Sequence, residues 1–195
     1  MAVRLAMGAL PKMKLSVEEY LILDRQAERN SEYHDGELFP IIDATRQHSS
    51  IAFNLGMVFG PRLRNSGCQG LMSPLRLRVS PTKYVFPDFI IVCGKAVLTD
   101  EHRDTITNPK VILEILSPST ADYDHGGKFE LYRMLPSLEE YLLVSQDKPL
   151  VEIFRKQSPN DWSLQIVSDF DALVRIHSLG IEFPLGDLHE GIEFE

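Results

Sequence analysis

Two acidic residues stand in apolar surroundings in the middle of the chain, and a lysine follows them. Asp88 precedes the apolar run Phe89–Cys93, and Glu114 lies inside a second apolar run, residues 111–116. A carboxylate within an apolar strand costs free energy unless a partner offsets its charge. Two such carboxylates on neighbouring strands, with Lys128 beyond them, can bind a divalent cation and supply a spare positive charge. This combination is typical of phosphodiester hydrolysis.

The spacing of Asp88 and Glu114 leaves room for a strand, a loop and a returning strand beside the first. Pro87 cannot donate a ladder hydrogen bond, so we expect Asp88 at the beginning of its strand. The two carboxylates then meet at one edge of a sheet, where Mg²⁺ (or Mn²⁺) is the expected ion. Such an ion polarises a phosphoryl group and lowers the pKa of a bound water, and a lysine stabilises the developing charge.

These residues resemble a known pattern. Pro87-Asp88 and Glu114-Ile115-Leu116 are similar to the PD-(D/E)xK motif of a nuclease superfamily, except that Leu116 holds the usual lysine position. The chain as a whole resembles a bacterial family described as "putative restriction endonucleases", formerly a domain of unknown function. The stretches that carry this resemblance are residues 31–37, 48–54, 84–93, 108–128 and 137–144.

The resemblance implies a restriction-endonuclease-like fold, an α/β (α+β) architecture with a central mixed sheet flanked by helices. It implies that Asp88 and Glu114 are metal ligands and that Lys128, carried by the next helix, supports the attacking water or the scissile phosphate. Glu37 is implied as a further acid near the metal. The activity implied is that of a Mg²⁺-dependent endonuclease acting on nucleic acid, with DNA the expected substrate. A homodimer is expected because cutting both strands usually needs two sites.

Each site residue also has a plainer interpretation. Glu114 can lie on an edge strand and face water, and Asp88 can cap a turn. Lys128 can be a surface residue, and Glu37 an ordinary hairpin residue. Leu116 in the usual lysine position favours a different function, in which the protein is a catalytically inactive nuclease-fold binding or regulatory module.

Two further groups near these motifs have open roles. His48 begins a helix, and it either lies near the site or serves in capping or packing. Asp122 and Asp124 precede Lys128, and we expect both to cap its helix.

The remaining patterns predict helices and strands in irregular order, which favours a mixed sheet over regular βαβ units. Ser16 and Glu19 form a capping box for a helix that runs to about Asn30. Alternation over Leu75–Val79 predicts a half-buried strand with Arg76 and Arg78 facing water. The other predicted elements are a hairpin at Asp35-Gly36 with strands near 32–33 and 37–42, helices at 47–65 and 128–135, and strands at 140–144, 150–154 and 162–167.

Length and composition predict one domain spanning residues 1–195. The net charge of -8 opposes tight nonspecific binding to nucleic acid, although residues 61–87 hold five bases and no acid. No apolar run is long enough to cross a membrane. Cys68 and Cys93 are far apart in sequence; a bridge between them is possible, but a reduced, cytoplasmic protein is the simpler interpretation. The acidic residues 161–195 suggest a third function, a structural homodimer joined through this tail.

Overall fold

The computed structural model describes residues 14–41, 44–117 and 121–194, with only the backbone of residue 122. The helices are α1 (Val17–Gln26), α2 (Arg46–Leu63), α3 (Ala121–Tyr123) and α4 (Phe129–Tyr132), with a π-helix at Asp124–Lys128 and 3₁₀-helices at His177–Leu179 and Leu185–Leu188. The strands are β1 (Ser31–His34), β2 (Glu37–Pro40), β3 (Cys68–Met72), β4 (Arg76–Ser80), β5 (Lys83–Val85), β6 (Phe89–Cys93), β7 (Thr105–Ile106), β8 (Val111–Leu116), β9 (Glu140–Ser145), β10 (Val151–Ser158), β11 (Asp161–Val167), β12 (Leu173–Ile176) and β13 (Ile181–Pro184).

A six-stranded mixed sheet lies at the centre, in the order β11-β10-β9-β8-β6-β3. Strands β8 and β9 are parallel, and the other neighbours are antiparallel. All six residues of β8 are buried, as the apolar run around Glu114 predicts. Because β8 lies between β6 and β9, the edge-strand interpretation of Glu114 is excluded. The predicted α+β fold with a mixed central sheet is confirmed.

Two smaller sheets accompany the central one. The first has five strands in the order β2-β1-β5-β4-β7, and the second pairs β12 with β13. The predicted Asp35-Gly36 turn joins β1 to β2, and both of its residues have positive φ (51° and 99°). This backbone conformation is the reason that Asp-Gly is favoured in a two-residue hairpin.

Helices cover both faces of the central sheet. Helix α2 packs on one face, where Phe59 and Leu55 join Ile115 in an apolar cluster. Residues 121–132, which we call the lysine helix, pack on the other face, where Tyr132 and Leu116 belong to a second apolar cluster. Side chains alternate between the faces of a strand, so Glu114 and Leu116 point toward the lysine helix.

The helix boundaries differ from the predictions at two places. The capping box forms as predicted, with Glu19 N donating to Ser16 Oγ at 3.2 Å, but α1 ends at Gln26 and not near Asn30. The lysine helix begins at Ala121, ahead of Lys128. Asp124 therefore lies inside the helix with its side chain buried, so the prediction that it caps the helix is wrong. The side chain of Asp122 lies outside the described residues.

Strand β4 shows why one arginine prediction is correct and the other wrong. Arg78 is exposed, as predicted, whereas the Arg76 side chain is only 3% exposed. The Arg76 guanidinium forms an ion pair with Asp24 of α1 and donates to Thr105 Oγ1 at 3.0 Å. Helix α1 covers this part of the five-stranded sheet. The alternation of polar and apolar residues along β4 cannot predict that a helix packs over its polar side.

The cysteines also differ from the expected reduced state. Cys68 and Cys93 are partners in the register of β3 and β6, and they form a disulfide. Because β3 and β6 are adjacent antiparallel strands, the two cysteines lie opposite each other although 25 positions separate them in the sequence. In the described part of the chain, no helix combines the length and the apolar character that crossing a membrane requires.

Candidate active site

Asp88 and Glu114 meet at the end of β6 beside β8. The antiparallel register pairs Phe89 with Leu113, and its extension by one residue brings Asp88 opposite Glu114. Asp88 N donates to Glu114 Oε2 at 3.3 Å, and Ile115 N donates to Asp88 Oδ2 at 2.8 Å. The two acidic residues are thus joined by hydrogen bonds between each side chain and the backbone of the neighbouring segment.

Glu114 is buried, with a side chain that is 3% exposed. Its Oε1 accepts hydrogen bonds from Lys128 Nζ at 3.0 Å and from Tyr132 OH at 2.6 Å. Both donors come from the lysine helix. Charge-assisted hydrogen bonds of this kind offset the cost of burying the carboxylate.

Lys128 reaches Glu114 because the lysine helix packs on the face of the sheet to which Glu114 points. The position two residues later, Leu116, also points to this face but is buried in its apolar cluster. The helix, rather than the strand, therefore supplies the ammonium. Lys128 Nζ also lies 3.2 Å from Asp124 Oδ1 and 3.8 Å from Glu32 Oε1.

Glu32 is an acid of the first hairpin that sequence reasoning missed. Its Oε2 lies 3.2 Å from His34 Nε2 and accepts a hydrogen bond from Tyr123 OH at 3.2 Å. Glu37, which was predicted for this role, pairs with His34 in the hairpin register but is not among the residues that line the site cavity. The signal that could have identified Glu32 is its place within the stretch 31–37, where Glu32 and His34 alternate along a strand.

His48 lies at the site, as one of its two interpretations proposed. Thr45 caps α2 and accepts from His48 N at 3.0 Å, which fixes the first turn. From this turn, His48 Nε2 lies 3.0 Å from Asp88 Oδ1. Asp88 is therefore held by His48 on one oxygen and by the backbone of β8 on the other.

Burial and neighbouring charges shift the pKa values of Glu114, Lys128 and Asp88. Burial raises the pKa of Glu114 well above its ordinary value, and the neighbouring Asp88 and Asp124 add to this effect against the opposing Lys128. Burial alone would lower the pKa of Lys128, but Glu114, Glu32 and Asp124 outweigh it and raise that pKa well above its usual range. Lys128 is therefore protonated. Burial disfavours ionisation of Asp88, yet the hydrogen bonds from His48 and Ile115 lower its pKa.

All of these groups line one cavity of about 1010 Å³. Four carboxylates converge there, and Lys128 and two imidazoles face them. A divalent cation bound beside Glu114 would favour the ionised form of this residue, which burial disfavours. We call the part of the cavity that these groups line its carboxylate end. Its residues are Glu32, His34, His48, Asp88, Glu114, Asp124 and Lys128.

A fit to Mg²⁺ can be judged from the donor set. Across residues 14–41, 44–117 and 121–194, no three His, Cys, Asp or Glu side chains already surround a common point as metal ligands. Mg²⁺ does not need such a cage, because it is usually bound by one or two carboxylates together with waters and substrate phosphate. Asp88 and Glu114 provide two adjacent hard-oxygen ligands, which fit this requirement.

Comparison with protein families agrees with the resemblance drawn from the sequence. The model of the Uma2 family, described as "Putative restriction endonuclease", matches residues 17–186. Two similar proteins come from Synechocystis sp. The uncharacterized protein slr1290 is 33% identical over 187 residues, which cover 94% of this chain and 96% of that protein. The uncharacterized protein sll1609 is 34% identical over 151 residues, with 77% and 85% covered.

A solved structure has the same fold. It is the crystal structure of a putative nuclease belonging to DUF820 from Anabaena variabilis, with a TM-score of 0.74. The similarity covers 90% of this chain and 98% of that one, at 19% sequence identity.

Proposed function

Because the chain belongs to the Uma2 family, described as "Putative restriction endonuclease", we propose that it is a metal-dependent nuclease that hydrolyses phosphodiester bonds in DNA. One observation carries the proposal. Asp88 and Glu114 are adjacent at the wall of one cavity, and the Lys128 ammonium lies 3.0 Å from Glu114 Oε1. Carboxylate oxygens beside a fixed cation are the groups that metal-assisted phosphodiester hydrolysis requires.

Asp88 and Glu114 would hold Mg²⁺ or Mn²⁺. The ion, when bound, polarises the phosphoryl group and lowers the pKa of a water. Asp88 suits this role because its lowered pKa keeps it ionised, and His48 fixes its orientation. Tyr132 fixes the orientation of Glu114 by donating to Oε1, which leaves Oε2 with the longer 3.3 Å contact to Asp88 N.

Lys128 would act on the substrate through its charge. Its raised pKa keeps the ammonium protonated, so it can stabilise negative charge that develops on the phosphoryl oxygens. A fixed positive charge in a site with little water is worth more than the same charge in solution. The three carboxylates around Lys128 also hold the ammonium in place before the substrate arrives.

DNA cleavage with and without Mg²⁺ or Mn²⁺ tests the proposal. The wild-type protein is expected to cut DNA with either ion and not with EDTA. Asp88→Asn and Glu114→Gln keep the side-chain shapes and are expected to lose cleavage. Glu130→Gln, an exposed acid of the lysine helix that pairs with Arg133, is the matched control and should cut as the wild type does. Equal cleavage by Asp88→Asn and wild type would remove Asp88 from the site.

One observation favours the alternative of an inactive binding or regulatory module. Lys128 is already engaged by Glu114, Asp124 and Glu32, and Leu116 is buried where the superfamily usually has its lysine. In that case the wild-type protein bound to DNA would leave the DNA intact at every metal concentration. Cleavage that is lost in Glu114→Gln and kept in Glu130→Gln would exclude the alternative.

We also propose that the protein is a homodimer, in which two copies would bring two phosphodiester sites to one nucleic acid. Light scattering would report the mass in solution. A mass near 44 kDa, about twice the 22.1 kDa of the chain, is expected, and a mass near that of one chain would refute the dimer.

A further inference from the structure

The lining of the site cavity has an apolar part whose chemistry differs from that of the carboxylates. It is formed by three consecutive residues that end the hairpin, Phe39, Pro40 and Ile41, and we call it the apolar end of the cavity. A metal ion and one phosphate need only a small part of about 1010 Å³, which lies at the upper limit for a small-molecule pocket.

Three rings connect the two ends, and we call Tyr123, His34 and Phe39 the aromatic row. Lys128 Nζ lies 5.9 Å from the centre of the Tyr123 ring. The ring centres of Tyr123 and His34 are 6.4 Å apart, and those of His34 and Phe39 are 5.2 Å apart. The aromatic row therefore leads from the ammonium of the proposed active site to the apolar end of the cavity.

Phe39, at the far end of the row, leaves much of its ring uncovered. It is 47% exposed although it lines the cavity and lies opposite the buried Glu32 in the hairpin register. A single exposed phenylalanine on a surface needs no explanation. An exposed ring that continues an aromatic row from a phosphate-binding cation offers a stacking surface to a ligand that carries both a phosphate and a flat ring.

A nucleotide is the ligand that has both groups. Bases stack on aromatic side chains when they are unpaired, and this contact tolerates any base because every base has a π face. In a duplex, the base is already stacked between its neighbours and must be extruded before it can enter a pocket. Tyr123 OH and His34 Nε2 are engaged by Glu32, so the exposed ring face of Phe39 is the part of the row that a base can contact.

We propose that the apolar end of the cavity binds one unpaired nucleobase beside the phosphate that is cut, so that the substrate is single-stranded or locally unpaired nucleic acid. This proposal rests on the nuclease function proposed above. It assigns Phe39 as the stacking residue and identifies the substrate class by strandedness.

Fluorescence of 2-aminopurine in a DNA oligonucleotide tests the stacking without any cleavage. The Asp88→Asn protein, which should not cut, is titrated into single-stranded DNA that carries the probe, and into a blunt duplex of the same sequence. We expect the probe to be quenched in the single strand and little changed in the duplex. Phe39→Ala in the same background should weaken single-strand binding about tenfold and lose the quenching, and Phe39→Trp should restore both.

The control is Phe53→Ala, which removes a 67% exposed phenylalanine of α2 that does not line the cavity. It should leave affinity and quenching unchanged. The proposal is overturned if Phe39→Ala matches its parent, if the duplex is quenched as strongly as the single strand, or if no single-strand binding occurs. Quenching that depends on Phe39 supports the base pocket even if the wild-type protein cuts no DNA. Cleavage by the wild type without such quenching leaves the nuclease proposal standing and removes the base pocket.

Discussion

Lys128 Nζ lies 3.0 Å from Glu114 Oε1, although the two residues belong to different elements of the fold. In the PD-(D/E)xK pattern that the sequence resembles, the lysine follows the second acid on the same strand. Here the lysine helix supplies the ammonium to the face of β8 where Leu116 is buried in the apolar cluster. The same chemical groups can therefore meet although they are placed differently along the chain.

Replacing Lys128 should affect both activity and stability. We expect Lys128→Met to reduce DNA cleavage by about 10²- to 10³-fold, because a fixed charge near the reacting phosphate is lost. The free energy of unfolding should fall by about 3 kcal/mol, because Glu114 and Asp124 remain buried without their cation. Cleavage assays and urea unfolding measure the two effects.

The matched control is Lys148→Met, which removes an exposed lysine outside the site cavity. It should change neither measurement. A Lys128→Met protein that cuts DNA at the wild-type rate would show that the ammonium takes no part in the reaction.

The two arginines of β4 should differ strongly in their contribution to stability. Arg76→Met leaves the buried Asp24 without its ion pair, so we expect the free energy of unfolding to fall by about 3–5 kcal/mol. Arg78→Met, on the same strand but exposed, should change it by less than about 0.5 kcal/mol. Urea denaturation of both variants makes the comparison, and similar values for the two would show that burial of Arg76 is not as described.

His189 should make the protein less stable in mild acid. Its side chain is 2% exposed and its Nε2 lies 2.8 Å from Ser145 O. Burial lowers the pKa of His189 below its ordinary value, so the unfolded chain binds a proton more readily than the folded one. Stability from this residue is therefore present above a pH of about 6.5 and is lost as the pH falls toward the lowered pKa.

Urea unfolding at a pH of about 7.5 and of about 5.5 would measure this loss. The wild type should lose up to about 1.4 kcal/mol more than His189→Gln for each pH unit in the titrating range. His102→Gln, which changes an exposed histidine, should retain the wild-type pH dependence. An identical pH dependence in wild type and His189→Gln would contradict the assignment.

The sequence predicted the centre of the fold because long apolar runs have few alternative placements. The apolar run around Glu114 favours burial, and Pro87 marks the beginning of the neighbouring apolar run, so the convergence of Asp88 and Glu114 was predictable. Glu32 was missed because β1 has only four residues. The alternation of residue types over so short a strand does not show which element packs against Glu32. The burial of Arg76 was missed for the same reason, since α1 covers that side of β4.

Helix boundaries near the site were less predictable. Asp124 has the residue type of a helix cap, and only the start of the lysine helix at Ala121 shows that its carboxylate faces Lys128 instead. The contact between Asp88 and His48 joins α2 to the strand end across 40 positions of the chain. Patterns within short windows cannot define such pairs, because they depend on how whole elements pack.

Calorimetric titration with Mn²⁺ tests the central claim most directly, because it requires no knowledge of the substrate. The wild-type protein is expected to bind Mn²⁺ with measurable heat at millimolar concentrations or below. Asp88→Asn and Glu114→Gln should each abolish that heat, and Glu130→Gln should retain it. Binding by Asp88→Asn that equals the wild type, or no heat from the wild type at millimolar Mn²⁺, would contradict a metal site formed by Asp88 and Glu114.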